Sequence, residues 1–297
     1  MSRPPTFTPP AGVRARRLVT ARGEFAALDA AAAATDARPT VKGTVLLLPG
    51  FTGSKEDFIA LHAPLAEAGY RTVAVDGRGQ YESTGPEDDE TAYAQDELAR
   101  DVLAQAHALG TPVHLVGHSL GGQIARAAVL LDASPFVSLT LMASGPAQIS
   151  TSQQERVKLL RDALAVMDMA QVWDAIQAMD APEETDTGTL DDGLDDRADL
   201  RRRWLATSPA QLIATGRLLC TEPDRVAELA AVPLPKHVLS GERDDTWPIP
   251  LLDEMAGRLD AHRTVVRKAE HSPNTDQPLE TARALAEFWD RTQNGQP

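Results

Sequence analysis

Cysteine is nearly absent from this chain, with Cys220 as its single example. That excludes an internal disulfide framework and any zinc site built on cysteine pairs. Cys220 follows the mainly apolar stretch Leu212-Ile213-Ala214-Thr215-Gly216-Arg217-Leu218-Leu219, where a buried structural thiol is expected. No apolar run approaches the roughly 18 residues of a membrane span. The opening Met1-Ser2-Arg3-Pro4-Pro5-Thr6-Phe7-Thr8-Pro9-Pro10 has no apolar core and does not read as a secretory signal, so a cytoplasmic protein is the expectation. Positive charge is also scarce: 29 Lys and Arg stand against 43 Asp and Glu, a formal net charge of −14. Such a chain repels phosphate backbones and anionic lipid, which argues against nucleic-acid binding. Much of the acid lies between Asp180 and Asp199, where it predicts a solvated, mobile loop. Asp191-Asp192-Gly193-Leu194-Asp195-Asp196 lacks the full calcium-loop pattern, and no metal is assigned there. Gly50-x-x-Gly53 and Gly77-x-Gly79 come without a glycine-rich lysine motif, so neither is a phosphate loop.

At 297 residues the chain can form one large α/β domain with an insertion, or two smaller domains. Residues 14–19 and 25–28, with a turn near Gly23, read as a hairpin. Thr44-Val45-Leu46-Leu47-Leu48 is the continuous apolar run of a strand buried on both faces. Strands are expected at 71–75, 113–116, 137–142, 236–240 and 263–267, and helices at 58–68, 97–108, 122–130 and 279–289. This alternation predicts a mainly parallel sheet with helices on both faces. It breaks between Pro146 and Val232, a stretch that reads as helices and loops. There Val157, Leu160, Leu164 and Met167 share one helical face, and Met169, Val172, Trp173 and Ile176 share another. Inserted on one side of a sheet, such helices would form a cap. Packing between cap helices accounts for each of these side chains, while Met167 and Trp173 are candidates to face a bound substrate.

The most informative stretch is Gly117-His118-Ser119-Leu120-Gly121, between the run Val113-His114-Leu115-Val116 and a helix-like segment. A strand entering a helix through so tight a turn would strain the backbone of Ser119 and expose its Oγ at the carboxyl end of the sheet. Gly117 and Gly121 flank the point where strand and helix nearly touch.

With this elbow and the element order, the chain resembles the α/β-hydrolase superfamily of capped serine hydrolases, from the hairpin to the last helix. The resemblance implies an eight-stranded sheet with an acyl-transfer site at its carboxyl ends. Its expected organisation is a flexible extension at residues 1–12, a core of 13–146 and 233–297, and a helical cap of 147–232. Ser119 would be the nucleophile, served by a histidine base that a carboxylate orients. Of the seven histidines, His271 alone follows the last strand, in Ala269-Glu270-His271-Ser272-Pro273-Asn274, which resembles the family's histidine loop. Glu270 stands where the family often has glycine; near the imidazole its carboxylate would favour the charged form, and turned to solvent it would matter little. His118 lies within the elbow, with its side chain expected to diverge from Ser119. For the acid, Gly241-Glu242-Arg243-Asp244-Asp245-Thr246-Trp247-Pro248 resembles the family's strand-end pattern. Its spacing selects Asp244, with the adjacent Asp245 as competitor; an alternative acid position holds Ala143-Ser144-Gly145 and is excluded.

The resemblance further places the oxyanion-binding N–H groups on Leu120 and on Phe51, within Pro49-Gly50-Phe51-Thr52-Gly53-Ser54. Pro49 stands where the family usually has histidine, so a hydrogen bond supporting this loop is expected to be lost. Phe51 and Thr52 would line the acyl pocket. Asp76-Gly77-Arg78-Gly79-Gln80-Tyr81-Glu82-Ser83 resembles the family's aspartate-x-arginine-glycine turn and reads as a brace for the site. The implied activity is hydrolysis of a small or medium carboxylic ester through an acyl-enzyme, without a cofactor, by a monomer or homodimer. The same site could serve a carbon–carbon, amide or thioester bond. A slow or non-catalytic ligand-binding relative is the alternative from another functional class.

Overall fold

The computed structural model describes residues 3–33, 41–180 and 193–293. One eight-stranded sheet organises them, in the order β1-β2-β4-β3-β5-β6-β7-β8. Strands β1 (Val13–Thr20) and β2 (Gly23–Ala30) form the expected hairpin, and β2 lies antiparallel to β4 (Tyr70–Val75). Every later pairing is parallel, through β3 (Gly43–Leu48), β5 (Val113–His118), β6 (Phe136–Met142), β7 (Lys236–Gly241) and β8 (His262–Val266). The sequence explains the order of burial. The outer strand β1 carries Arg14, Arg16 and Arg17 and buries only Leu18, whereas β5 and β7 are buried at every position. Charges on the outer strand also discourage pairing with another sheet edge.

Helices cover both faces. On one side lie α2 (Gln95–Leu109) and α3 (Leu120–Leu131), later joined by α8 (Val226–Ala230) and α9 (Ile249–Leu259). On the other lie α1 (His62–Glu67), which continues a 3-10 turn at Lys55–Leu61, and α10 (Pro278–Gln293). Two apolar clusters result, one around Leu46, Leu115 and Leu139 and the other around Val45, Val116 and Trp289. Helix α9 has no clear sequence signal: it follows directly on the loop after β7, and its Pro250 in the first turn reads as a breaker although proline is well tolerated there. No helix among the described residues is long and apolar enough to cross a membrane.

Between β6 and β7 the chain inserts α4 (Thr151–Leu164), α5 (Met169–Asp180), α6 (Gly193–Ala206) and α7 (Pro209–Thr221). The acidic stretch expected as a loop is divided here. Asp180 ends α5, residues 181–192 lie outside the described residues, and from Gly193 the chain is helical. Burial explains the correction: Leu200 and Trp204, one helical turn apart, drop into the cluster between the cap helices. An Asp199–Arg202 pair at 2.6 Å adds an i, i+3 contact on the exposed side. Within the N-terminal extension, Pro4 is buried and Phe7 meets the Tyr81 ring edge-on at 6.3 Å, so this part is docked on the core.

Four histidines are buried in this framework: His62, His114, His118 and His237. Burial pushes His62, His114 and His118 down to about 4, and His237 well below its ordinary value. Among the described residues the hydrogen-bond partners of the His62 and His114 rings are the hydroxyls of Thr72 and Ser138, at 2.6 and 2.8 Å, and hydroxyls give little support to a charged ring. As pH falls below about 6.5 the unfolded chain binds protons at these positions and the folded chain does not. The contribution of these histidines to stability is therefore complete above about pH 6.5 and declines toward pH 4. Each of the three histidines shifted to about 4 should account for about 3 kcal/mol of that loss. His114→Gln keeps a polar partner for Ser138 and removes the titration. Urea unfolding at pH 7.5 and 4.5 should show a smaller loss in the variant than in the parent. Equal losses in the two proteins would refute the assignment.

Candidate active site

The site is assembled where β5 passes into α3. Ser119 occupies the junction with φ 54° and ψ −118°, a left-handed conformation that an L residue adopts only when its surroundings hold it. The hold is visible: the Ser119 N–H donates to the Met142 carbonyl at 2.9 Å, and the Ser119 carbonyl accepts from the Gly122 N–H at 2.9 Å. A side chain at Gly117 would collide with the Gly121 backbone, and one at Gly121 with the backbone of Leu48 and Pro49. Glycine is thus required at both positions by the closeness of strand and helix.

His271 follows β8, and its ring reaches the elbow. Its Nε2 lies 3.1 Å from Ser119 Oγ, and its Nδ1 lies 3.0 Å from each oxygen of Asp244. Asp244, in the loop after β7, has a fully buried side chain whose Oδ1 also accepts from the N–H groups of Thr246 and Trp247, at 2.8 and 3.1 Å. The neighbouring Asp245 points elsewhere. Its Oδ2 accepts from Gln153 Nε2 at 2.6 Å, and its carbonyl accepts from Ser150 Oγ at 2.8 Å, which fastens the start of α4 to the acid loop. Glu270 also turns away from the imidazole, toward Arg243 at 2.6 Å, with both side chains exposed.

His118 has a part that the sequence did not reveal. Its Nε2 donates to the His271 carbonyl at 2.8 Å, and the two rings lie 5.2 Å apart. Burial keeps His118 neutral, so it can supply that N–H as an uncharged brace for the histidine loop. Asn274 braces the same loop by donating from Nδ2 to the Asp57 carbonyl at 2.7 Å. Both residues stand inside motifs whose sequence signal belongs to their neighbours, Ser119 and His271.

Phe51 lines the cavity beside Ser119, and Leu120 directly follows Ser119; the N–H of neither donates to a protein acceptor among the described residues. A cavity of about 300 Å³ opens beside Ser119 and His271. Thr52 and Phe51 line it as expected, and Ile149, Gln153, Val157 and Leu219 supply much of the remaining wall. Met167 and Trp173, the cap residues expected against a substrate, do not line it. Trp173 is buried with Val172, Leu200, Trp204 and Leu212, and Met167 packs against that same cluster. The two apolar faces seen in the sequence meet each other in the cap, and Val157 is the member of the first face that turns to the cavity. Helical spacing marks an apolar face but not whether a pocket or another helix covers it.

The Alpha/beta hydrolase family model matches residues 45–284. A pimeloyl-[acyl-carrier protein] methyl ester esterase of Aeromonas hydrophila is 31% identical over 241 residues, which are 76% of this chain and 87% of that protein. A shorter match, 38% identical over 99 residues, covers 33% of this chain and 36% of a Variovorax paradoxus protein provisionally described as a carbamate hydrolase. Among solved structures, one from work on carboxylesterases of Nitrososphaera gargenis superposes with a TM-score of 0.72 at 18% identity, covering 94% of this chain and all of that one. Sheet order, the strand–turn–helix elbow and the extent of the family match agree: the chain belongs to the α/β-hydrolase family.

Proposed function

We propose that the protein is a serine hydrolase that cleaves a small or medium carboxylic ester through an acyl-enzyme. The observation that carries this reading is the hydrogen-bonded series Ser119–His271–Asp244 at the wall of the cavity. A serine hydroxyl is a weak nucleophile near neutral pH. With His271 Nε2 within reach, the hydroxyl proton passes to the imidazole as Ser119 Oγ bonds to the ester carbonyl carbon. Asp244 accepts from His271 Nδ1–H, which leaves Nε2 as the base and stabilises the imidazolium that forms. The carbonyl oxygen takes up negative charge, and the N–H groups of Phe51 and Leu120, which have no protein acceptor among the described residues, receive it. Collapse of the tetrahedral intermediate breaks the bond to the alcohol, which leaves with the proton held by His271. Water then adds to the acyl-enzyme by the same route, giving the carboxylic acid and restoring Ser119.

The wall supports an uncharged group next to the reacting carbonyl. Among the described residues, no Asp, Glu, Lys or Arg lines the cavity, and Phe51, Ile149, Val157 and Leu219 offer apolar contact. The Aeromonas relative is named for a methyl ester, and an ester is the bond we carry over to this chain.

A fluorophosphonate probe and a panel of p-nitrophenyl esters test the proposal together. Ser119 should be labelled rapidly and stoichiometrically. Each added methylene of the acyl chain should raise kcat/KM about fourfold until the cavity is filled, since burying a methylene is worth about 0.8 kcal/mol. A folded protein left unlabelled would indicate a ligand-binding relative. Faster cleavage of matched amides or thioesters than of oxygen esters would move the reaction to another bond on the same residues.

A further inference from the structure

The Gly50 carbonyl and the Phe51 N–H belong to one peptide unit. Because that unit is planar and trans, its C=O and N–H point in opposite directions, and whatever holds the oxygen also aims the N–H. The Gly50 oxygen is held twice. It accepts from the Gly53 N–H at 3.1 Å, within the loop, and from Gln80 Nε2 at 3.0 Å, from outside it. The next residue, Thr52, has φ 59°, a left-handed conformation that a loop keeps only under external restraint.

Gln80 is itself fixed. Its side-chain Oε1 accepts from the Gly77 N–H at 2.9 Å, which leaves Nε2 directed at Gly50. Its backbone is locked into the same turn: its N–H donates to the Gly77 carbonyl at 3.0 Å, and its carbonyl accepts from the Ser83 N–H at 2.8 Å. The residue is almost completely buried. One buried carboxamide thus ties the turn after β4 to the peptide that carries the Phe51 N–H. Pro49 precedes this peptide where the resemblance leads one to expect a supporting histidine, and Gln80 provides support from the turn after β4.

We propose that Gln80 is a positioning residue of the oxyanion site: its donation to the Gly50 oxygen aims the Phe51 N–H and strengthens it as a donor. A hydrogen bond accepted by the carbonyl polarises the whole peptide, so the N–H at its other end becomes a better donor. The inference rests on the ester-hydrolase reading, because it assigns Gln80 to the charge that develops during acyl transfer. Gln80 touches neither the nucleophile nor the base, and it acts through Phe51.

Gln80→Met keeps the length and bulk of the side chain and removes both of its side-chain hydrogen bonds, while the main-chain bonds to Gly77 and Ser83 remain available. Losing a whole oxyanion donor lowers kcat by about 10² to 10³. A misaimed donor should cost less, and the expected fall in kcat is about 10- to 100-fold, with KM changed less than twofold. The readout specific to the oxyanion is the affinity of butylboronic acid, which forms a tetrahedral adduct on the nucleophile. Its inhibition constant should rise by roughly the same factor as kcat falls, while the thermal midpoint moves little. Gln80→Glu keeps the acceptor for the Gly77 N–H and removes the donor to Gly50, and it carries the same test if Gln80→Met does not fold. Gln80→His, with an N–H of similar reach, should recover part of both losses.

Unchanged kcat in the folded variants would overturn the proposal. So would a loss of kcat with unaltered boronate affinity, which would leave Gln80 a purely structural role. If the parent protein neither hydrolyses esters nor binds the boronate, the ester-hydrolase reading fails and the role of Gln80 falls with it. Tight boronate binding by parent and variants alike removes the role of Gln80 alone.

Discussion

Ser119→Ala should remove nearly all ester turnover and leave the fold unchanged. The variant lacks the only hydroxyl hydrogen-bonded to His271 Nε2 among the described residues, and the elbow offers no second nucleophile. Thr52, Thr246 and Ser272 also line the cavity, but none of them has a hydrogen bond to the imidazole. Losses on the order of 10⁶ in kcat follow when such a nucleophile is removed, and what remains comes from binding and the oxyanion donors. Folding should be spared because alanine retains the Cβ, and the main-chain bonds of Ser119 to Met142 and Gly122 do not involve the hydroxyl. The comparison needs purified variant and parent, assayed on p-nitrophenyl butyrate, with circular dichroism to establish folding. A folded variant that kept a tenth of the parent activity would place the nucleophile elsewhere.

The second large effect should separate two adjacent aspartates. In Asp244→Asn the new carboxamide confronts donors on every side: Thr246 N–H and Trp247 N–H on one edge, and the His271 ring nitrogen on the other. If the amide oxygen serves the backbone, the amide NH₂ faces His271 Nδ1, which must then give up its proton. The proton moves to Nε2, and the ring can no longer act as a base toward Ser119. A fall in kcat on the order of 10⁴ is the expected consequence. Asp245→Asn keeps an oxygen for Gln153 Nε2 and loses only the charge assistance of that bond, so its effect should stay within about tenfold. The ratio of the two kcat values is the measurement. A larger loss at position 245 would transfer the orienting role by one residue while leaving the rest of the scheme in place.

The residues of the site differ in how well the sequence announces them. Ser119 is legible because the elbow imposes local requirements: a strand, two glycines where the chain nearly touches itself, and a helix. His271 is legible from its place after the last strand, since parallel strands bring their carboxyl ends to one edge. The choice between Asp244 and Asp245 is less local. Family spacing selects the first, and the loop conformation that turns one carboxylate inward and gives the other to Gln153 belongs to the folded chain. His118 and Gln80 had no signal of their own, because their partners lie 153 and 30 residues away.

The cap shows the limit more sharply. Its helices are implied by apolar periodicity, but the same periodicity serves a cavity wall and a helix–helix seam equally. Trp173 and Met167 went to the seam, and Ile149, Val157 and Leu219 went to the wall. Charge composition misled from Gly193 onward in a similar way. Acidic residues suggested a solvated loop, yet burial of Leu200 and Trp204 supports a helix, and that burial exists only when α5 and α7 are in place.

By itself, then, the sequence determined the alternation of strands and helices, the parallel sheet, the interruption by a cap, and the elbow with its serine, because each depends on short-range periodicity or backbone sterics. Family spacing already favoured Asp244 over Asp245; tertiary structure alone decided how that carboxylate meets His271, which cap side chains border the cavity, and how Gln80 reaches the peptide before Phe51. Those outcomes depend on contacts between distant segments, and such contacts are selected by shape, burial and hydrogen-bond partners that exist only once the chain has folded.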